Sequence, residues 1–209
     1  MSDLKRLRVL CVDDHPLFRE GISTVIGHEH DMRVVAMAAT AKEAIAQFRH
    51  NLPDVTLMDL RLPDMSGIAA ISAIRADFPK ARVIVLTTSE GDVEVRRALA
   101  AGACGYLLKS TPLEEMIAVI RKVHAGSKYV PSELLSALAQ HIDAESLSKR
   151  ELEVLKRVAE GDRNRDIAKL LTISEDSVKA HVRRMMDKLG AKDRTQAVAI
   201  AIRRGIIQV

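Results

Sequence analysis

Five short runs of apolar, largely β-branched residues mark the first half of this 209-residue chain: "RVLCV" (Arg8 to Val12), "RVVAM" (Arg33 to Met37), "DVTLM" (Asp54 to Met58), "RVIVLT" (Arg82 to Thr87) and "GYLL" (Gly105 to Leu108). Each is followed by a stretch whose apolar residues return every three or four positions: "PLFREGISTVIGH", "AKEAIAQFRHN", "SGIAAISAIRADF", "DVEVRRALAAG" and "PLEEMIAVIRKVHAG". A period of two cannot pass for a period of 3.6, so the pattern predicts strands alternating with helices. Pro16 and Pro112 suit first helical turns, and Gly102 and Gly126 suit helix ends. Strands that are apolar almost throughout must be covered on both faces. Strict βα alternation therefore predicts an α/β fold, a doubly wound five-stranded parallel sheet. In such sheets the working groups collect beyond the carboxyl ends of the strands.

The pattern then changes. "SKYVPSELLSALAQHIDAES" reads as a linker over residues 127–146, with a short helix around Glu133 to His141. Beyond it, "SKRELEVLKRVAEG", "DRNRDIAKLL", "SEDSVKAHVRRMMDKLG" and "DRTQAVAIAIRRG" all carry helical periodicity, and Gly161, Gly190 and Gly205 close three of them. The expected layout is an α/β domain over 1–126, the linker, and a small all-α domain over 147–209. Charge divides along the same line. Residues 146–209 hold 15 Lys and Arg against 9 Asp and Glu, a net of +6, whereas the preceding residues hold 17 against 19, a net of −2. Only the C-terminal part is therefore suited to meeting a polyanion. Aromatic residues make up 2% of the chain with no Trp, which argues against a base-stacking platform for single strands. No apolar run nears the roughly 20 residues that span a membrane. The polar start "MSDLKR" is unlike a signal peptide, so a cytoplasmic location is expected. Cys11 and Cys104 read as small core residues.

The residues at the ends of the expected strands form one constellation. The first strand ends in Asp13-Asp14, the third in Asp59, the fourth in Thr87-Thr88, and the fifth is followed by Lys109. Adjacent carboxylates repel unless a cation or donors lie between them. Three carboxylates make an oxygen-rich pocket suited to Mg²⁺, which takes one or two carboxylates together with phosphate oxygens. A lysine at the same point would neutralise an anionic phosphoryl group, and the Thr87 hydroxyl could donate to one of its oxygens. A carboxylate can also be the covalent acceptor, forming an aspartyl phosphate. Asp59, a lone acid at a strand end, is the best placed for that role. His15 reads as a helix-start residue beside Pro16.

The motifs "VDDHP", "MDLRLPDMSG", "VLTTSE" and "GYLLKS", in this order, resemble the receiver domain of two-component response regulators over about 125 residues. The resemblance implies a flavodoxin-like sheet and a phosphohistidine on a histidine kinase as the phosphoryl donor to Asp59. It implies Mg²⁺ held directly by Asp14, partly through water by Asp13, and by Asp59 and the backbone carbonyl of Arg61. Thr87 and Lys109 would contact the phosphoryl group, and Tyr106 would be a switch aromatic that moves with Thr87. Receivers commonly have Pro after the lysine, whereas Ser110 stands there in this chain.

In the basic half, Ser174 suits an N-cap, and Val178, Val182, Met185 and Leu189 share one helical face. Lys179, Ala180, Arg183, Arg184 and Asp187 point largely the other way, as in a helix that enters the major groove. "NRDIAKLLTI" before it reads as the scaffold helix of a helix-turn-helix. "LSKRELEVLKRVAEG", "NRDIAKLL" and "ISEDSVKAHVRRMMDKLGAKDRTQAV" resemble the LuxR-type helix-turn-helix domain. That likeness implies Lys179, Ala180 and Arg183 near base edges, with Ser177, His181, Lys188 and Arg194 as candidates for phosphate contact. Glu151 and Arg194 could instead hold helices together. The terminal helix would carry dimer contacts.

A receiver joined to this domain resembles the NarL/FixJ class of response regulators. The expectation is a transcription regulator rather than an enzyme, a homodimer when phosphorylated or DNA-bound, with promoter DNA, a histidine kinase and RNA polymerase as partners. The alternative is a phosphorylation-independent DNA-binding regulator whose receiver serves as an interaction module. A Mg²⁺ phosphatase is disfavoured by the DNA-binding half and by the lack of a lid insertion.

Overall fold

The computed structural model describes residues 6–88, 91–140 and 146–207. They gather into two compact units, one of residues 6–88 and 95–135 and one of 91–94 and 136–207. The first is built on β1 (Leu7–Val12), β2 (Met32–Ala38), β3 (Val55–Asp59), β4 (Val83–Thr87) and β5 (Gly105–Leu108). All pairings are parallel and the strand order is β2-β1-β3-β4-β5. The chain thus moves outward from β1 to β2, then returns to β1's other side to lay down β3, β4 and β5. The direction reverses between β1 and β3, and that crevice is where such sheets place ligands.

The connecting helices are α1 (Pro16–His28), α2 (Ala41–Asn51), α3 (Gly67–Asp77), α4 (Asp92–Ala100) and α5 (Leu113–His124). Alternate strand residues serve opposite faces. Val9, Cys11, Leu57, Ile84, Leu86 and Leu107 form one core with Ile22 and Ile26 of α1 and Met116, Ile120 and Val123 of α5. Leu10, Val12, Met58 and Val85 are buried on the other face, and α2 and α3 bury Ala44, Phe48, Ala70, Ile71 and Ile74. The doubly wound parallel sheet expected from the sequence is therefore present, with strand limits within one or two residues of those expected. Pro16 stands at the first position of α1 as expected, whereas Pro112 is one residue earlier than expected, at the N-cap of α5. Cys11 is a core residue whose thiol burial pushes up to about 12.

The segment expected as linker is structured over most of its length. Tyr129 accepts the Tyr106 N–H at 2.9 Å and donates its own to the Cys104 carbonyl at 3.1 Å, extending the sheet past β5 by one bridge. Its hydroxyl donates to Glu115 at 2.6 Å. The helix α6 (Ser132–Gln140) follows, and His141 of the expected helix lies outside the described residues.

The second unit contains α7 (Lys149–Ala159), α8 (Asn164–Leu171), α9 (Glu175–Leu189) and α10 (Arg194–Arg203). Val154, Leu155, Ile167, Val178, Met185, Leu189, Ala197 and Ala201 make its core. A capping box starts α7: Ser148 Oγ accepts the Glu151 N–H, and the Glu151 carboxylate accepts the Ser148 N–H. Thr172 ends α8 with φ 54° in the left-handed region, making the turn between α8 and α9. Gly190, at φ 64°, closes α9.

Candidate functional site

Four strand ends deliver their side chains to the β1/β3 crevice. Asp13 extends the β1–β2 ladder by donating its N–H to the Ala38 carbonyl at 3.1 Å, and its side chain is 3% exposed. Asp59, the last residue of β3, is equally buried. Lys109 follows β5, and its N–H donates to the Thr87 carbonyl at 2.8 Å. This bond aims the ammonium back across the sheet, where it meets Asp13 Oδ2 and Asp59 Oδ2, each at 2.7 Å. The other Asp59 oxygen, Oδ1, accepts the Arg61 N–H at 3.0 Å. Thr87 is buried at the end of β4.

One cation thus stands between two buried carboxylates, leaving an excess of negative charge. Burial pushes the Asp59 carboxyl above its ordinary range, and the Asp13 charge adds to this against the bonds from Lys109 and Arg61. For Lys109, burial acts downward, but the bonds to Asp13 and Asp59 outweigh it and hold the ammonium above its usual range. The two directions agree: the site favours one more positive charge and disfavours the second negative one.

Asp14 is 37% exposed, and the His15 ring lies beside both carboxylates, its Nδ1 2.7 Å from Asp14 Oδ1 and 3.3 Å from Asp13 Oδ1. His15 is the N-cap of α1, at the helix start expected for it, but its ring also faces the carboxylates. Two more neighbours went unread in the sequence. The Arg19 guanidinium donates to the Asp13 carbonyl at 2.5 Å, and the Lys109 ammonium sits 5.0 Å from the centre of the Phe18 ring. His15, Leu17, Phe18, Thr88 and Lys109 line a cleft of about 520 Å³, at which Leu17 is 91% exposed. Carboxylate oxygens of Asp13, Asp14 and Asp59 lie within 4.8 Å of one another, together with a His15 nitrogen. Three convergent hard oxygens fit Mg²⁺. Tyr106, on β5, is wholly buried. Arg61 is exposed on the β3–α3 loop.

In the second unit, α9 buries Val178, Met185 and Leu189 and exposes Lys179, Ala180, Arg183, Arg184 and Asp187, as the periodicity predicts. Ser174 Oγ accepts the Ser177 N–H at 3.1 Å, and the two hydroxyls are 2.8 Å apart. Lys179 leans on Asp176 at 3.1 Å, an exposed contact that a phosphate can displace. His181 is half-buried, and its Nδ1 has no hydrogen-bond partner among the described residues. Lys188 is turned inward. Its ammonium lies 3.1 Å from Glu151 Oε2 and 3.2 Å from the Ser146 carbonyl, so the expected phosphate contact is a brace between α9 and α7. Arg194 donates to the Asp162 carbonyl at 2.9 Å, a backbone contact.

Comparison with known proteins agrees with both units. Residues 9–121 match the response regulator receiver domain, and residues 145–201 match the bacterial regulatory proteins of the luxR family. The transcriptional regulatory protein YxjL of Bacillus subtilis is 43% identical over 97% of this chain and 98% of its own. The response regulator VraR of Staphylococcus aureus is 38% identical over 97% of this chain and 99% of its own. Among solved structures, the RcsB–DNA complex superposes with a TM-score of 0.70 at 26% identity, covering 95% of this chain and 99% of that one. With a receiver sheet, its acidic crevice and a luxR-type helical unit in one chain, this protein belongs to the LuxR family of two-component response regulators.

Proposed function

We propose that this protein takes a phosphoryl group on Asp59 from a histidine kinase and, in that state, binds promoter DNA as a dimer through α9. The observation that carries this reading is the convergence of Asp13, Asp59 and Lys109 at 2.7 Å in the crevice where the strand order reverses. Asp59 Oδ1 is the oxygen held by a backbone N–H, and Oδ2 is the oxygen held by Lys109. As the Asp59 O–P bond forms, the P–N bond of the donor phosphohistidine breaks and the imidazole leaves; the attacking oxygen loses its full charge, and the Lys109 ammonium is free to follow the charge onto the phosphoryl oxygens. Thr87, at the neighbouring strand end, offers its hydroxyl to the same group. Mg²⁺, held by Asp13, Asp14, Asp59 and the Arg61 carbonyl, would supply the charge neutralisation that an incoming phosphate requires.

At the other unit, Lys179, Ala180 and Arg183 face outward to meet base edges, and Arg184, Ser177 and His181 flank them for phosphates. The likeness of the chain to RcsB in its complex with DNA supports the reading that this protein binds DNA. No described helix is long and apolar enough to cross a membrane, which fits a cytoplasmic regulator. Acetyl phosphate with Mg²⁺ is expected to label the wild-type chain and to leave Asp59→Asn unlabelled. Equal labelling of the two would overturn the assignment of the acceptor. Equal promoter affinity with and without beryllofluoride would favour a regulator that needs no phosphorylation.

A further inference from the structure

The β3–α3 loop presents one backbone group to the Asp59 side chain, the Arg61 N–H, which donates to its Oδ1 at 3.0 Å. At its far end the loop is closed tightly. Gly67 donates its N–H to the Leu60 carbonyl at 2.9 Å, and a Cβ on Gly67 would lie 2.0 Å from the Asp59 carbonyl oxygen. The outer part of the loop, with Pro63 and Asp64 exposed, has no such backbone closure within the loop itself. It is held instead by one side chain. Asp64 Oδ1 accepts the Ala41 N–H at 2.8 Å and the Met65 N–H at 3.0 Å, while Oδ2 accepts the Lys42 N–H at 2.9 Å. Ala41 and Lys42 are the first two residues of α2, whose N–H groups have no partner inside that helix.

We propose that Asp64 is a positioning residue for the phosphoacceptor site, clamping the loop that carries Arg61 onto the start of α2. This inference rests on the reading of Asp59 and its neighbours as that site. α2 already has a cap of its own, because Thr40 Oγ1 accepts the Glu43 N–H at 3.1 Å. Asp64 therefore adds a bond between elements, not merely an end to a helix. The bonds from Lys42, Ala41 and Met65 N–H groups hold its carboxyl below the usual range, so it stays ionised at neutral pH. With the clamp in place, the Arg61 N–H keeps one Asp59 oxygen fixed, which leaves the other facing Lys109. Groups that orient a first ring of ligands in this way typically change metal affinity about 10- to 100-fold when removed.

The test compares full-length Asp64→Ala, Asp64→Asn and Thr40→Ala. Thr40→Ala removes a cap from the same helix without touching the loop, so it reports what loss of α2 stability alone does. Two readouts are independent of phosphorylation: amide hydrogen exchange at Arg61 in metal-free protein, and Mn²⁺ affinity by electron paramagnetic resonance. Asp64→Ala is expected to speed Arg61 exchange and to weaken Mn²⁺ binding by about tenfold. Asp64→Asn, which keeps one acceptor oxygen, is expected to fall between it and wild type, and carries the comparison alone if Asp64→Ala does not fold. Thr40→Ala is expected to match wild type in both. The proposal is overturned if the Asp64 variants match wild type in either readout, or if Thr40→Ala shifts both as far as they do. Failure of the acceptor assignment would register separately, as labelling that survives Asp59→Asn.

Discussion

At the scale of single residues, the charge excess around Asp59 has a measurable cost. Two buried carboxylates share one ammonium, and burial raises the Asp59 carboxyl above its ordinary range. A raised acid binds its proton more tightly in the folded chain than in the unfolded one. Its ionised form therefore costs stability above the folded pKa, and that cost vanishes as pH falls below it. Asp59→Asn leaves Lys109 paired with Asp13 alone and is expected to raise the thermal midpoint of the receiver by about 2–4 °C at pH 7.5, equivalent to roughly 1 kcal/mol. The gain over wild type should shrink steadily as the pH is lowered toward 4. Mg²⁺ should stabilise the wild type, since it binds only the folded site, and should narrow the same gap from the other side. Calorimetry across pH with and without Mg²⁺ checks all three, and a destabilised Asp59→Asn would mean that the Lys109 bond outweighs burial.

At the scale of elements, α9 is held to α7 by the Lys188–Glu151 pair, in which the Glu151 side chain is 3% exposed. For Glu151, burial acts upward, but the Ser148 N–H and Lys188 outweigh it and hold the carboxyl below its ordinary range. A depressed acid contributes stability that is present above the unfolded value and lost as pH falls through the folded one. The helical unit is therefore expected to weaken below about pH 4.5, in the opposite sense to Asp59. Lys188→Met strands a buried carboxylate and is expected to cost about 2–3 kcal/mol, near the lower end for broken buried pairs because Lys188 is partly exposed. Arg183→Ala, on the outer face, should leave stability within about 0.5 kcal/mol of wild type. Urea unfolding followed by circular dichroism at pH 7 distinguishes them.

Lys188 also marks the limit of what the sequence disclosed. Period 3.6 sorted the α9 residues correctly by where their Cα atoms point. A long lysine beside the apolar face can nonetheless fold its stem back to a buried acid 37 residues away, and no local pattern records that. The strand ends were legible because four of the five apolar runs stop at a chemistry-bearing residue. The Asp64 bonds to Ala41 and Lys42 were not, since they join segments 23 and 22 residues apart, and the His15 and Arg19 contacts to Asp13, though local, depend on side-chain rotamers that periodicity does not set. The left-handed turn at Thr172 was hidden for another reason: a β-branched residue is the wrong marker for that conformation.

At the scale of the whole molecule, charge alone would make phosphorylation oppose DNA binding. Phosphoryl transfer exchanges the Asp59 carboxylate charge for a group carrying about −1.5 to −2, a net change of roughly −0.5 to −1 in a receiver half whose net charge is already −2, while the +6 that attracts DNA lies in residues 146–209 and is unchanged. Any gain in promoter affinity must then come from a shift in the population of dimers, not from stronger attraction per subunit. On DNA carrying one half-site, the slope of log affinity against log salt is expected to be the same with and without beryllofluoride. On DNA carrying two half-sites, beryllofluoride should raise affinity and roughly double the slope, because two subunits then release counterions together. Arg184→Ala, which removes an exposed cation proposed to meet a phosphate, should reduce the half-site slope by about 1 in both states, whereas Arg183→Ala should also relax base preference. Fluorescence anisotropy titrations at several salt concentrations measure these slopes. A beryllofluoride-dependent slope on the half-site would show that the receiver alters the phosphate contacts of a single subunit, and dimerisation would no longer suffice as the means of control.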